Sequence, residues 1–168
     1  MANVGNPADA ALLAKSAVAG ARGAPPVVRA LLLERVAWAS ARSRDHEAAQ
    51  RALDAVDDAF EERSPNTEEP HWVYWMSRDE IDVMAGRCLI ELGDPSSAAP
   101  LLATAIDAYD AEHAREVALY RTWLAESYVR AGELDAARGV IEKARTTVSD
   151  VNSARLVRRV EEIERLVS

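Results

Sequence analysis

GELDAARGVIEKA, residues 132–144, repeats in outline a stretch 39 positions earlier, GDPSSAAPLLATA at 93–105. Two further copies, GNPADAALLAKSA at 5–17 and RDHEAAQRALDAV at 44–56, are also 39 apart, and the middle gap is 49. Aligned on their first residues, the sixth position is always alanine: Ala10, Ala49, Ala98 and Ala137. The tenth is Ala14, Leu53, Leu102 and Ile141, and the thirteenth is Ala17, Val56, Ala105 and Ala144. Apolar residues three or four apart share one face of a helix. A period of this length marks units that cannot bury that face alone and must stack on a neighbour. The pattern predicts an all-α fold: an α-α superhelix of stacked antiparallel helix hairpins, with about eight helices.

Helix punctuation supports the count. Asn6-Pro7 and Asp94-Pro95 each set a capping side chain before a proline at the first helical position, where the missing N–H costs nothing. Ser77 and Glu80 have capping-box spacing, and Met76 and Ile81 occupy the flanking staple positions. Gly23, Gly93 and Gly132 fall where a helix ends in a left-handed residue. Helices are expected over 7–22, 26–43, 46–62, 77–92, 95–110, 113–131, 134–148 and 153–167. Together they form a single domain, 1–168. Its parts are an orphan second helix (7–22), hairpins 26–62, 77–110 and 113–148, a capping helix (153–167) and an inserted loop (63–76).

The two ends read differently. Leu156, Val160, Ile163 and Val167 make one stripe on an otherwise charged helix, as a terminal cap requires. The first helix carries Ala8, Ala10, Ala11, Leu12, Leu13, Ala14, Ala17, Val18 and Ala19 around most of its circumference, so it expects neighbours on more than one side.

Bulk composition narrows the function classes. Twenty basic against 28 acidic residues leave a net charge of −8, unsuited to neutralising phosphates, so direct DNA or RNA contact is not expected. One cysteine, Cys88, rules out an intrachain disulfide and suits a reducing cytoplasm. No apolar run approaches the ~20 residues needed to cross a bilayer, and no secretory signal is evident. Alanine-rich composition and a large excess of arginine over lysine are the usage of a GC-rich bacterial genome.

These residues resemble the tetratricopeptide repeat over nearly the whole chain outside the 63–76 loop. That family places a small residue in the first helix of each hairpin, seven positions before the turn glycine, and an alanine five positions after it. Here these are Ala37, Gly86 and Ala125 opposite Ala49, Ala98 and Ala137. The stride exceeds the family's usual value of about 34. The tryptophan position holds Leu33, Asp82 and Arg121, and the proline ending each second helix is missing. The stretches EEPHWVYWM, MAGRCLIELGDPSSAAPLL and REVALYRTWLAESYVRAGELDAA also resemble the C-terminal repeat region of actinobacterial helix-turn-helix transcriptional regulators.

The resemblance implies a protein- or peptide-binding module, the regulatory or sensing part of a bacterial transcriptional regulator and not itself DNA-binding. Its partner would be a protein, a peptide or a missing N-terminal part of the same protein. The alternative is a structural homodimerisation module that uses the first helix. Family groove positions carried onto this chain are Glu34, Trp38 and Arg42, then Arg87 and Glu91. Thr122, Glu126 and Arg130 follow, with Arg158, Glu161 and Arg165 on the last helix. Arginine forks beside an aromatic ring suit a carboxylate or an anionic ligand. The simpler reading is surface pairing within each helix, since Trp38–Arg42, Arg87–Glu91 and Glu126–Arg130 are all four apart.

In the loop SPNTEEPHWVYW (64–75), Trp72, Tyr74 and Trp75 are either a docking strip or a plug for the seam that the insertion opens, and the plug is preferred. His46, His71 and His113 share no metal-ligand spacing, and no nucleophile motif or phosphate loop is present, so neither an enzyme, a cofactor nor a metal is expected.

Overall fold

The computed structural model describes residues 5–148 and 153–168; residues 1–4 and 149–152 of the expected domain lie outside them. Among the described residues there are eight α-helices and no strand. They are α1 (Pro7–Gly20), α2 (Pro26–Arg42), α3 (His46–Glu61), α4 (Arg78–Leu92), α5 (Pro95–Ala108), α6 (Ala114–Ala131), α7 (Leu134–Val148) and α8 (Ala154–Val167). Within each compact unit, helices adjacent in sequence pack as antiparallel pairs. The chain divides into two compact units, Met1–Leu92 and Gly93–Ser168, at a point inside the hairpin expected over 77–110.

Capping side chains define the starts. Asn6 accepts from the Ala8 N–H at 2.9 Å, Asp45 from Ala48 at 3.0 Å, Asp94 from Ser97 at 3.1 Å and Ser77 from Glu80 at 3.2 Å. Each satisfies a donor that the first helical turn leaves open. Helix α2 begins at Pro25-Pro26, which offers no such side chain. Its open donor at Val27 is met from 42 residues away, by Glu69 of the inserted loop at 3.0 Å.

The repeat reappears in the backbone. The first residue of each copied segment has a positive φ: Gly5 at 121°, Arg44 at 59°, Gly93 at 85° and Gly132 at 82°. An added Cβ would meet nothing within 4 Å at Gly93 or Gly132, so glycine there serves conformation and not space. The turns after α2 and α6 close alike, Asp45 N–H to Ser40 C=O at 3.0 Å and Glu133 N–H to Tyr128 C=O at 2.9 Å. Arg44 takes the same turn without glycine's freedom, at a cost of about 1–2 kcal/mol. Gly23, expected as a left-handed stop, has no positive φ. Instead α1 ends at Gly20, where the Ala21 N–H donates to Val18 C=O at 3.1 Å.

In the first unit α2 is the hub, with α1, α3 and α4 all packed on it. Val36, Ala37 and Ala41 of α2 share a cluster with Ala49 and Ala52 of α3 and Cys88 of α4. Ala37 and Ala49 are fully buried, so no side chain beyond a methyl group holds these helices apart there. A second cluster joins Val27 and Ala30 to Val56, Ala59 and Phe60, and takes Val73 and Met76 from the loop and Ile81 from α4. On α1 only Ala10 is buried, while Leu12 and Leu13 are 66% and 53% exposed.

In the second unit α6 is the hub for α5, α7 and α8. Ala118 and Ala125 of α6 meet Ala137, Ile141 and Ala144 of α7 and the whole stripe Leu156, Val160, Ile163 and Val167 of α8. In each unit, then, the first helix of a hairpin carries both its own partner and the next first helix (α2 with α3 and α4, α6 with α7 and α8). This is the neighbour pattern of stacked hairpins.

Candidate functional site

The α2–α4 contact brings Trp38, Arg42, Arg87 and Glu91 together. The Arg87 guanidinium lies 4.1 Å from the centre of the Trp38 ring, and that of Arg42 lies 5.9 Å from it. Arg42 Nη1 donates to Glu91 Oε1 at 3.2 Å across the two helices. The pairing in this face therefore runs between α2 and α4 as well as along α2. The sequence spacing, which shows only neighbours four apart, cannot reveal that.

Glu34, one turn before Trp38, is 2% exposed, with Oε2 3.2 Å from Arg35 Nε. It lies within the packed part of this face and not along an open groove. Burial pushes its carboxyl above the usual carboxylate range, more than the positive charges of Arg35 and Arg87 draw it back, and Glu80 adds to the rise. A carboxyl raised on folding contributes stability that is full below its unfolded value and is lost as pH rises through the folded value. Glu34→Gln, which cannot ionise, is therefore expected to melt higher than the native chain at neutral pH. The difference should close below about pH 4. Thermal melts followed by circular dichroism across this range check it, and a difference that widens in acid would contradict it.

Cys88 is buried beside this face, and burial, with Glu34 and Glu91 nearby, pushes its thiol up to about 12. A thiol so raised carries almost no thiolate at neutral pH and is a poor nucleophile.

In the second unit Glu126 is the junction. It accepts from Arg130 Nη2 at 2.6 Å within α6 and from Arg159 of α8. Arg159, which the family register passes over, makes this α6–α8 contact, whereas the expected groove residues Arg158 and Arg165 do not. Those two turn back on their own helix, Arg158 to Ala154 C=O at 3.3 Å and Arg165 to Glu161 C=O at 3.1 Å. Thr122 is fully buried and its hydroxyl donates to Leu119 C=O at 2.6 Å, which removes it from any accessible surface.

The inserted loop departs from the plug expectation. Val73 and Met76 are the buried residues, at 3% and 7%, whereas Trp72, Tyr74 and Trp75 are 56%, 81% and 39% exposed. The cause is a 3₁₀ turn at His71–Val73, continued by the Tyr74 N–H bond to His71 C=O and the Met76 N–H bond to Val73 C=O. At three residues per turn, positions i and i+3 eclipse. Val73 and Met76 share the inward face, Trp72 and Trp75 another, and His71 and Tyr74 the third, their ring centres 5.7 Å apart. Apolar residues spaced by three were the signal, masked by the larger rings between them.

His113 contacts Asp110 Oδ1 at 2.7 Å beside the start of α6, which raises the imidazole above its ordinary value. No group of three or more potential metal ligands occurs among the described residues, and no described helix is long and apolar enough to cross a membrane. Compared with protein-family models, curated proteins and solved structures, the chain has no significant match.

Proposed function

We propose that this chain is a protein- or peptide-binding helical-repeat module of the tetratricopeptide type. In this reading it is the regulatory part of a bacterial helix-turn-helix regulator and makes no direct contact with DNA. The supporting observation is the α2–α4 face, where an arginine-flanked tryptophan and an arginine–glutamate pair meet between two packed helices. A carboxylate on a bound segment would displace Glu91 as the partner of Arg42, and the Trp38–Arg87 stack would seat the adjoining apolar atoms. The sequence resemblance and the charge balance supply the regulatory setting.

An array of short peptides with free C-terminal carboxylates, probed with the full chain, tests this. Arg42→Ala should abolish capture, and Glu91→Gln, which removes the competing carboxylate, should strengthen it. Indifference to both substitutions would defeat the proposal.

A second reading rests on α1, where Leu12 and Leu13 stand in solvent. Exposed leucines on a helix that buries only Ala10 suit a homodimer contact. In the same preparation, sedimentation should then show a dimer that Leu12→Glu dissociates; a strict monomer at high concentration removes this reading.

A further inference from the structure

We infer that the 71–75 turn is a docking site for an arginine-bearing segment of another protein, with its exposed rings stacking on cationic side chains inside an acidic surround. The inference stands apart from the α2–α4 face, and either can fail alone.

Three observations carry it. First, the rings are presented and not merely uncovered. The turn is pinned from within by Val73 and Met76, and its approach is tied down where Glu69 caps α2. The backbone that displays Trp72, Tyr74 and Trp75 is therefore already ordered, which lowers the cost of binding to that of fixing the rings.

Second, the stretch of chain that carries them is acidic. Residues 52–82 hold ten acidic side chains and two basic ones, a balance of −8 that equals the charge of the whole chain; the remaining residues cancel. Arg29 of α2 binds Glu62 of this stretch, and the two cations within it are also engaged. Arg78 binds Asp57 at 2.6 Å and also Asp82. Arg63 lies 3.8 Å over the Phe60 ring and donates to Phe60 C=O at 3.1 Å. Asp58, Glu61 and Glu68 stay exposed, without a cationic partner among the described residues.

Third, the chain itself shows the chemistry, since Arg63 over Phe60 and Arg87 over Trp38 are guanidinium–ring stacks. Exposed aromatic faces attract guanidinium groups, and nearby carboxylates add long-range attraction. Phosphate backbones and anionic lipid surfaces are repelled by the same field.

The test uses the full chain and a labelled octapeptide of alternating arginine and glycine. Matched peptides carry lysine, glutamine or glutamate in place of arginine, and binding is followed by fluorescence anisotropy. The arginine peptide should bind best, lysine next, and the glutamine and glutamate forms not at all. The Trp72→Ala/Trp75→Ala double variant keeps every charge yet should bind the arginine peptide roughly tenfold more weakly. Trp72→Ala alone, at the more exposed ring, should give part of that loss with the circular dichroism spectrum unchanged, which guards against misfolding of the double variant. Glu61→Gln/Glu68→Gln should also weaken binding and flatten its salt dependence. Equal binding by the double variant would reduce the effect to bulk charge and overturn the inference. So would failure to separate arginine from glutamine, or capture of the chain by phosphatidylcholine vesicles in place of the peptide.

Discussion

Ile163→Ala is expected to lower stability by about 2–5 kcal/mol and to release α8 from its unit. The side chain is fully buried, at the centre of a stripe whose other members, Leu156, Val160 and Val167, are all buried on α6 and α7. The opposite face of α8 is charged and contributes little burial, so the helix depends on this one line of contact. Polar ties at its margins, Arg138 Nε to Val167 C=O at 2.8 Å and Arg159 to Glu126, cannot replace that area. Hydrogen exchange over residues 153–168 should accelerate, and thermal melts should shift down. Leu166→Ala on the same helix removes a side chain that is 54% exposed and should stay within about 0.5 kcal/mol of the native chain. Equal effects of the two substitutions would show that the stripe is misassigned.

Ala137→Leu is the second large effect, a loss of about 1–3 kcal/mol through overpacking, and Ala49→Leu should match it in the first unit. Both alanines have no exposed surface, and each faces another small residue, Ala125 and Ala37, within one cluster. Three extra heavy atoms must push the paired helices apart or force strained rotamers. The thirteenth position of the repeat supplies an internal control. Ala144 is fully buried, whereas Ala17, its counterpart on α1, is exposed. Leucine at 144 should destabilise and leucine at 17 should not, as thermal melts of the four variants will show.

These alanines also explain how much of the fold was legible beforehand. Periodicity and caps are local, and they place all eight helices within two residues of their observed ends. The buried repeat alanines follow from the same pattern, because a close crossing admits no larger side chain. Arg44 was less legible: its φ of 59° is visible in sequence only through alignment with Gly93 and Gly132.

The candidate surfaces are less legible in the sequence, for a consistent reason. A register identifies a helix face but not its depth or its cross-helix partners. Glu34 and Thr122 share the face of Trp38 and Glu126, yet both lie in the interior. Arg42 reaches Glu91 and Arg159 reaches Glu126 across gaps of 49 and 33 residues, which no i,i+4 rule anticipates. The Glu69 cap on α2 is non-local in the same way.

The three-residue winding of the 71–76 segment separates two kinds of evolutionary freedom. Only one position in three is anchored, so the outward rings can be exchanged for other chemistries while the interior is left intact. The spacing between anchors has no such latitude, because a single inserted or deleted residue would rotate the knob by a third of a revolution and drive an indole toward the space that valine or methionine fills. Variation at this spot should therefore accumulate in what is displayed and never in length.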